Sequence, residues 1–273
     1  MVISTMKNYE LIVTTKENEV LHIELNRPGI HNAFDDKLIK ELYDVFAKVE
    51  ENNEIRILVL TGRGKSFCAG ADLNWMHRMK NFSFDQNYKD SYELAKMLEK
   101  LHTITIPTIA KVNGAAIGGG LGLVAACDIS IASTQAIFSL SEVKLGLVPA
   151  CISPYLIKRV NKGMLRHLFL TGTRFDAVKA KEIGLVNEAV QPDKLDEITA
   201  KTIKKILSCG PKSLTIAKEL LEKVPYMKPE EYMKYNADLI AKLRVSDEGQ
   251  EGLGAFLEKR KPAWNKNIRD KEE

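Results

Sequence analysis

Long apolar runs are missing from this chain. No stretch approaches the roughly 20 residues that span a bilayer, and the opening "MVISTMKNYELIV" has neither a basic start nor a long apolar core. The sequence therefore predicts no membrane segment and no export signal. Cysteine is scarce as well: Cys68, Cys127, Cys151 and Cys209 are widely spaced and form no CxxC pair. That spacing argues against a zinc site or a disulfide framework and for a reducing, cytoplasmic setting. Neither sign of charge is in large excess, since 40 Lys and Arg against 36 Asp and Glu leave +4, spread along the chain. A nucleic-acid surface is not indicated, whereas a polyanionic small molecule remains compatible. Low-complexity linkers and fixed-period repeats are lacking. What is present is 273 residues, 45% of them hydrophobic, enough for one large domain or one with a smaller appendage.

Along the chain the periodicity switches between strand and helix. In "VLHIELNRP", Leu21, Ile23 and Leu25 alternate with His22 and Glu24, as in a half-buried strand closed by Arg27-Pro28. Asp35 is placed to cap a helix whose apolar face is Leu38, Leu42, Val45 and Val49. "IRILVLTGRG" (55–64) reads as a buried strand entering a turn; a helix carrying Leu94, Leu98 and Leu101 follows, and Pro107 introduces the strand "TIAKVNG". "DISIAS" and "IFSL" add two short strands. From about Lys194 strand signals cease, and the last helix is predicted to be capped by Asp247 with Gln250 three residues on. The expected organisation is an α/β core over 1–195 and a helical region over 196–273.

The stretch "GGGLGLVAACD" (118–128) sets four glycines at the start of an apolar helix, where each costs about 1 kcal/mol relative to alanine. Two nucleotide motifs compete to explain such sequences. "TGRGKSF" fails as a P-loop because the first glycine would fall on Val59. "GLGLVA" (120–125) matches G-x-G-x-x-A with Glu142 downstream, which leaves an NAD-dependent oxidoreductase as a rival reading. Its position, late in the chain and followed by a short polar strand, speaks against it. A third explanation is an oxyanion hole: amides at a helix start lack intrahelical partners and can donate to a developing negative charge. The second donor would come from the small-residue turn in "FCAGADL" (67–73). Plain tight turns chosen for packing explain the spacing equally well.

In order and spacing, "NRPGIHNAF", "GRGKSFCAGADL", "IAKVNGAAIGGGLGLVAACDISIA", "FSLSEVKLGLVP", "LTGTRFDAVKAKEIGLVNEAV" and "AFLEKRKP" resemble the crotonase, or enoyl-CoA hydratase/isomerase, superfamily over about residues 8–265. The resemblance implies a spiral of ββα units with a helical C-terminal trimerisation region, a homotrimer or homohexamer, an acyl-CoA thioester as substrate, and no cofactor beyond the coenzyme A that the substrate carries. It further implies that the amides of Ala71 and Gly119 stabilise an enolate and that Glu142 acts as general acid/base. The family's ligand segments bring Arg27, Ala69, Asp72 and Leu73 to the substrate, with Phe256 and Lys259 as C-terminal coenzyme A contacts.

Three positions depart from the family pattern. Gly122 occupies the place of a first glutamate that typical hydratases pair with the one matched by Glu142, and Gly29 and Asn74 stand where phosphate-side lysine or arginine is common. A single carboxylate opposite an oxyanion hole can isomerise a double bond, or hydrate it if it delivers both water and proton. "CAGADLNWM", the glycine at 122 and "SEVKLGLVPACISPY" resemble the bacterial methylglutaconyl-CoA hydratase branch, which favours hydration. Ser139, Ser141, Ser153 and Tyr155 read as turn or packing residues. His22 reads as strand surface, His102 and His167 as helix packing, and His31 and His77 as loop residues. A non-catalytic acyl-CoA-binding protein is the remaining rival.

Overall fold

The structure, a computed structural model, describes residues 3–4 and 9–265. The chain divides into two compact units, Met1–Thr199 and Ala200–Glu273, with the division four residues beyond the expected one.

The first unit carries two sheets. The larger has the order β1-β2-β3-β4-β6-β8-β11, built from β1 (Ile3–Ser4), β2 (Ile12–Glu17), β3 (Val20–Leu25), β4 (Ile57–Gly62), β6 (Thr108–Val112), β8 (Ile129–Ser133) and β11 (Glu188–Val190). From β3 onward every neighbour is parallel, while β1 and β2 are antiparallel additions. The smaller sheet has the order β10-β9-β7-β5, from β5 (Ser66–Cys68), β7 (Ala115–Ile117), β9 (Ile137–Ser139) and β10 (Phe175–Asp176). Three of the long parallel strands are each followed by a short strand in the other sheet and then by helix: β4, β5 and α2 (Leu73–Met79) with α3 (Phe84–Thr103); β6, β7 and α4 (Gly119–Ala126); β8, β9 and α5 (Ser153–Arg159) with α6 (Lys162–Thr171). This is the α/β spiral of ββα units that the sequence motifs imply.

Alternation explains the packing. Leu21, Ile23 and Leu25 of β3 enter the core with Leu58 and Leu60 of β4, and meet Leu38, Leu42, Val45 and Phe46 of α1 (Asp36–Val49) and Met97, Leu98 and Leu101 of α3. The helix signals are used as written: the Asp35 carboxylate accepts from Leu38 N at 2.8 Å, and Ser83 closes a capping box with Gln86 on α3. α4 differs in kind. Seven of its eight residues are buried, so it is apolar all round and runs through the interior. α7 (Ala177–Glu182) precedes β11, and α8 (Leu195–Leu207) runs past the division.

The second unit is helical: α9 (Pro211–Lys223), α10 (Pro229–Val245) and α11 (Asp247–Leu257). The Glu248 carboxylate of α11 accepts from Lys212 N at 2.9 Å, Ser213 N at 2.8 Å and Ser213 Oγ at 2.7 Å, which satisfies the free amides at the start of α9. The cap of α11 corrects the sequence expectation. Ser246, in extended backbone, accepts from Gly249 N at 3.1 Å, so Asp247 is the first helical residue and not the cap. Among the described residues no helix is long and apolar enough to cross a membrane.

Candidate active site

Three neighbouring strands of the smaller sheet, β5, β7 and β9, run parallel. Parallel neighbours release their chains at the same edge, the usual place for ligands in α/β sheets. That edge therefore receives the turn at 69–72 after β5, Gly118 and Gly119 after β7, and the 3-10 turn Ser141–Leu145, with Glu142 in it, after β9.

The amides are aimed by hydrogen bonding. Phe34 forms a parallel bridge with Ala71: Phe34 N donates to Gly70 O and Phe34 O accepts from Asp72 N, both at 2.7 Å. Both bonds go to the residues flanking Ala71, so the Ala71 N–H faces away from Phe34. Just after β7, Gly118 N donates to Ser139 O at 3.0 Å, and Gly119 opens α4 with an amide that has no place in the helix ladder. The two turns pack directly together. A Cβ on Gly120 would lie 2.8 Å from Cys68 Cβ, and one on Gly70 would lie 3.1 Å from Ile117 O. Gly70 and Gly118 also hold φ of 96° and 51°, which L side chains rarely adopt.

The first three glycines of the cluster now each have a reason. A Cβ at 118 would stand 3.1 Å from Glu142 Oε1, and one at 119 would stand 2.9 Å from the Phe34 ring. Phe34 therefore touches both donor turns, by backbone at Ala71 and by ring at Gly119. Sequence reasoning did not single it out, although it ends the "NRPGIHNAF" motif. Asn32, fully buried, was missed too. It accepts from Arg27 N at 2.8 Å and donates to Arg63 O at 3.0 Å and Ser66 O at 2.8 Å, fixing the loop that carries Phe34.

Glu142 is half-buried, its Oε2 has no hydrogen-bond partner, and burial pushes its carboxyl above the ordinary carboxylate range. A carboxyl so placed holds its proton more readily than a solvated one and is suited to passing it on.

The other candidate residues are placed as follows. Arg27 donates to Ala33 O at 2.6 Å and pairs with both Asp35 and Asp72 at 2.9 Å, so its guanidinium is already engaged. Asp72 also caps α2, accepting from Asn74 N at 2.7 Å, and Ala69 N donates to His31 O at 3.0 Å. Leu73 is exposed on α2. Phe256 and Lys259, both exposed, lie in the C-terminal unit. His77 corrects its expectation, since it sits on α2 and not in a loop. Ser139 Oγ donates to Gly172 O at 3.3 Å, Ser153 Oγ to Ala150 O at 2.9 Å and Tyr155 OH to Glu99 Oε2 at 3.1 Å.

Comparison with known proteins shows the family and the fold. Residues 15–267 match the enoyl-CoA hydratase/isomerase family. A crotonyl-CoA hydratase of Syntrophomonas wolfei is 34% identical over 93% of this chain and 97% of its own length. A mitochondrial enoyl-CoA hydratase of Pongo abelii is 36% identical over 93% of this chain and 87% of its own length. The crystal structure of an enoyl-CoA hydratase from Shewanella pealeana superposes with a TM-score of 0.90 at 41% identity, covering 93% of this chain and 96% of the other. With the match spanning nearly all of it, the chain belongs to the enoyl-CoA hydratase/isomerase family and is an enzyme of the crotonase fold.

Proposed function

We infer that the protein hydrates an α,β-unsaturated acyl-CoA thioester, with Ala71 and Gly119 as oxyanion donors and Glu142 as the general acid/base. The observation that carries this reading is the common edge of β5, β7 and β9, which brings the three groups out together. The thioester oxygen accepts from both amides. The Glu142 carboxylate takes a proton from water as its oxygen bonds to the β-carbon, and the electron pair of the double bond moves into the thioester as an enolate. Glu142 then gives that proton to the α-carbon, restoring the carboxylate and the thioester carbonyl. Oxyanion donors of this sort are worth roughly 3 kcal/mol each to the transition state.

Branched dicarboxylic thioesters such as methylglutaconyl-CoA are the finer reading, supported by the motifs "CAGADLNWM" and "SEVKLGLVPACISPY". A panel of enoyl-CoA thioesters that includes them tests it, with the highest kcat/KM expected on the branched substrate. A second reading has an observation behind it. Position 122 carries no acid, and a lone carboxylate suffices to move a proton along the chain, as a double-bond isomerase does. Reaction in heavy-oxygen water separates the two, because hydration puts the label in the product and isomerisation does not. The oligomer belongs to the same proposal. Exposed Leu221, Met233 and Ile240 on α9 and α10 suit helices that meet another copy of the chain as a homotrimer or homohexamer.

A further inference from the structure

Gly118 is the residue before α4, and its carbonyl accepts from Gly122 N at 3.1 Å, so the two glycines lie one turn apart. Glu142 stands over Gly118, its Oε1 3.1 Å from where a Cβ would be. Over Gly122 stands Ile152: a Cβ at 122 would fall 3.0 Å from Ile152 Cβ, collide with Ile152 Cγ2, and lie 3.6 Å from Leu98 Cδ1 of α3. Ile152 is 2% exposed, is the residue before α5, and is joined to Glu142 by the exposed turn through Leu145, Leu147 and Val148. The segment that carries the acid thus also carries the apolar side chain that stands over the glycine one turn further along α4.

We propose that Ile152 is a specificity-determining residue: seated on Gly122, it forms the apolar wall of the acyl pocket beside Glu142 and limits the bulk of the acyl group next to the thioester. This rests on the acyl-CoA reading above. A wall of this kind discriminates by size, and a change of one or two methyl groups in an apolar pocket alters selectivity by about tenfold or more.

The test is a double-mutant cycle of Gly122→Ala, Ile152→Ala and the pair, with Ile152→Val as a milder variant. Three quantities are followed: stability to urea, affinity for butyryl-CoA against a bulkier phenylpropionyl-CoA, and kcat/KM on crotonyl-CoA against cinnamoyl-CoA. Ile152→Ala is expected to shift both the affinity ratio and the kcat/KM ratio about tenfold toward the bulkier ligand, with Ile152→Val intermediate. Gly122→Ala should be destabilising alone and substantially rescued in the pair, because the two side chains compete for one space. Unchanged ratios alongside a plain stability loss would reduce Ile152 to a core residue and overturn the proposal. Additive effects in the cycle would overturn the packing on which it rests. Should the wild type turn over neither thioester, the catalytic reading fails while the affinity ratios still decide the role of Ile152.

Discussion

Glu142 holds two demands in tension. In its proposed role it needs a sheltered place to exchange protons with carbon, and burial penalises its charged form. The acid limb of the kcat/KM profile is therefore expected above the ordinary carboxylate range, since the basic form is lost as pH falls through the raised pKa. The stability consequence has the opposite sense. A carboxyl whose pKa is raised in the folded state destabilises the fold once it ionises, so Glu142→Gln should melt higher than wild type at pH 8. That difference should close as pH falls toward 4, where both forms are neutral. The same variant is expected to cut turnover by ~10²-fold or more while binding acyl-CoA, as checked by steady-state kinetics and calorimetry. Near-normal turnover would remove Glu142 from the mechanism. Gly120→Ala probes the donors. Its methyl would strike the Cys68 carbonyl, so both kcat and stability should fall, the latter by about 1–3 kcal/mol.

At the scale of elements, α4 is gripped at both ends by the α5 segment. Ile152 covers its first turn, and Arg159 donates to the carbonyls of Cys127, Asp128 and Leu185 and to Ser130 Oγ beyond its last. A cation at a helix C-terminus also complements the dipole. Arg159→Met leaves those carbonyls unsatisfied, so a loss of about 3 kcal/mol is expected in urea titration. Arg159→Lys should restore only part of it. These contacts mark the limit of what sequence tells. α1 was legible because its signals are local: Asp35 at the cap, and Leu38, Leu42, Val45 and Val49 at helical spacing, all buried. The crowding of glycines in α4 was visible, but the reasons for Gly119, Gly120 and Gly122 are Phe34, Cys68 and Ile152, each remote in sequence. Arg27 was readable as a cation near the site, yet its two carboxylate partners depend on tertiary placement. The cap of α11 slipped by one residue because Ser246 and Asp247 are both good caps and only backbone geometry chooses between them.

For the whole molecule, the division into Met1–Thr199 and Ala200–Glu273 separates the chemistry from the helices proposed to bring copies together. Leu221→Asp with Ile240→Asp is therefore expected to lower the mass in sedimentation toward that of a single chain. The sheet edge described above has one more implication. Two of the three groups proposed to react are peptide hydrogens whose position follows from strand order, so replacing a side chain does not delete them. Swapping the peptide link at Gly119 for an ester, which deletes a single hydrogen and leaves every side chain in place, is the change that exposes how much of the enzyme's power the backbone alone supplies.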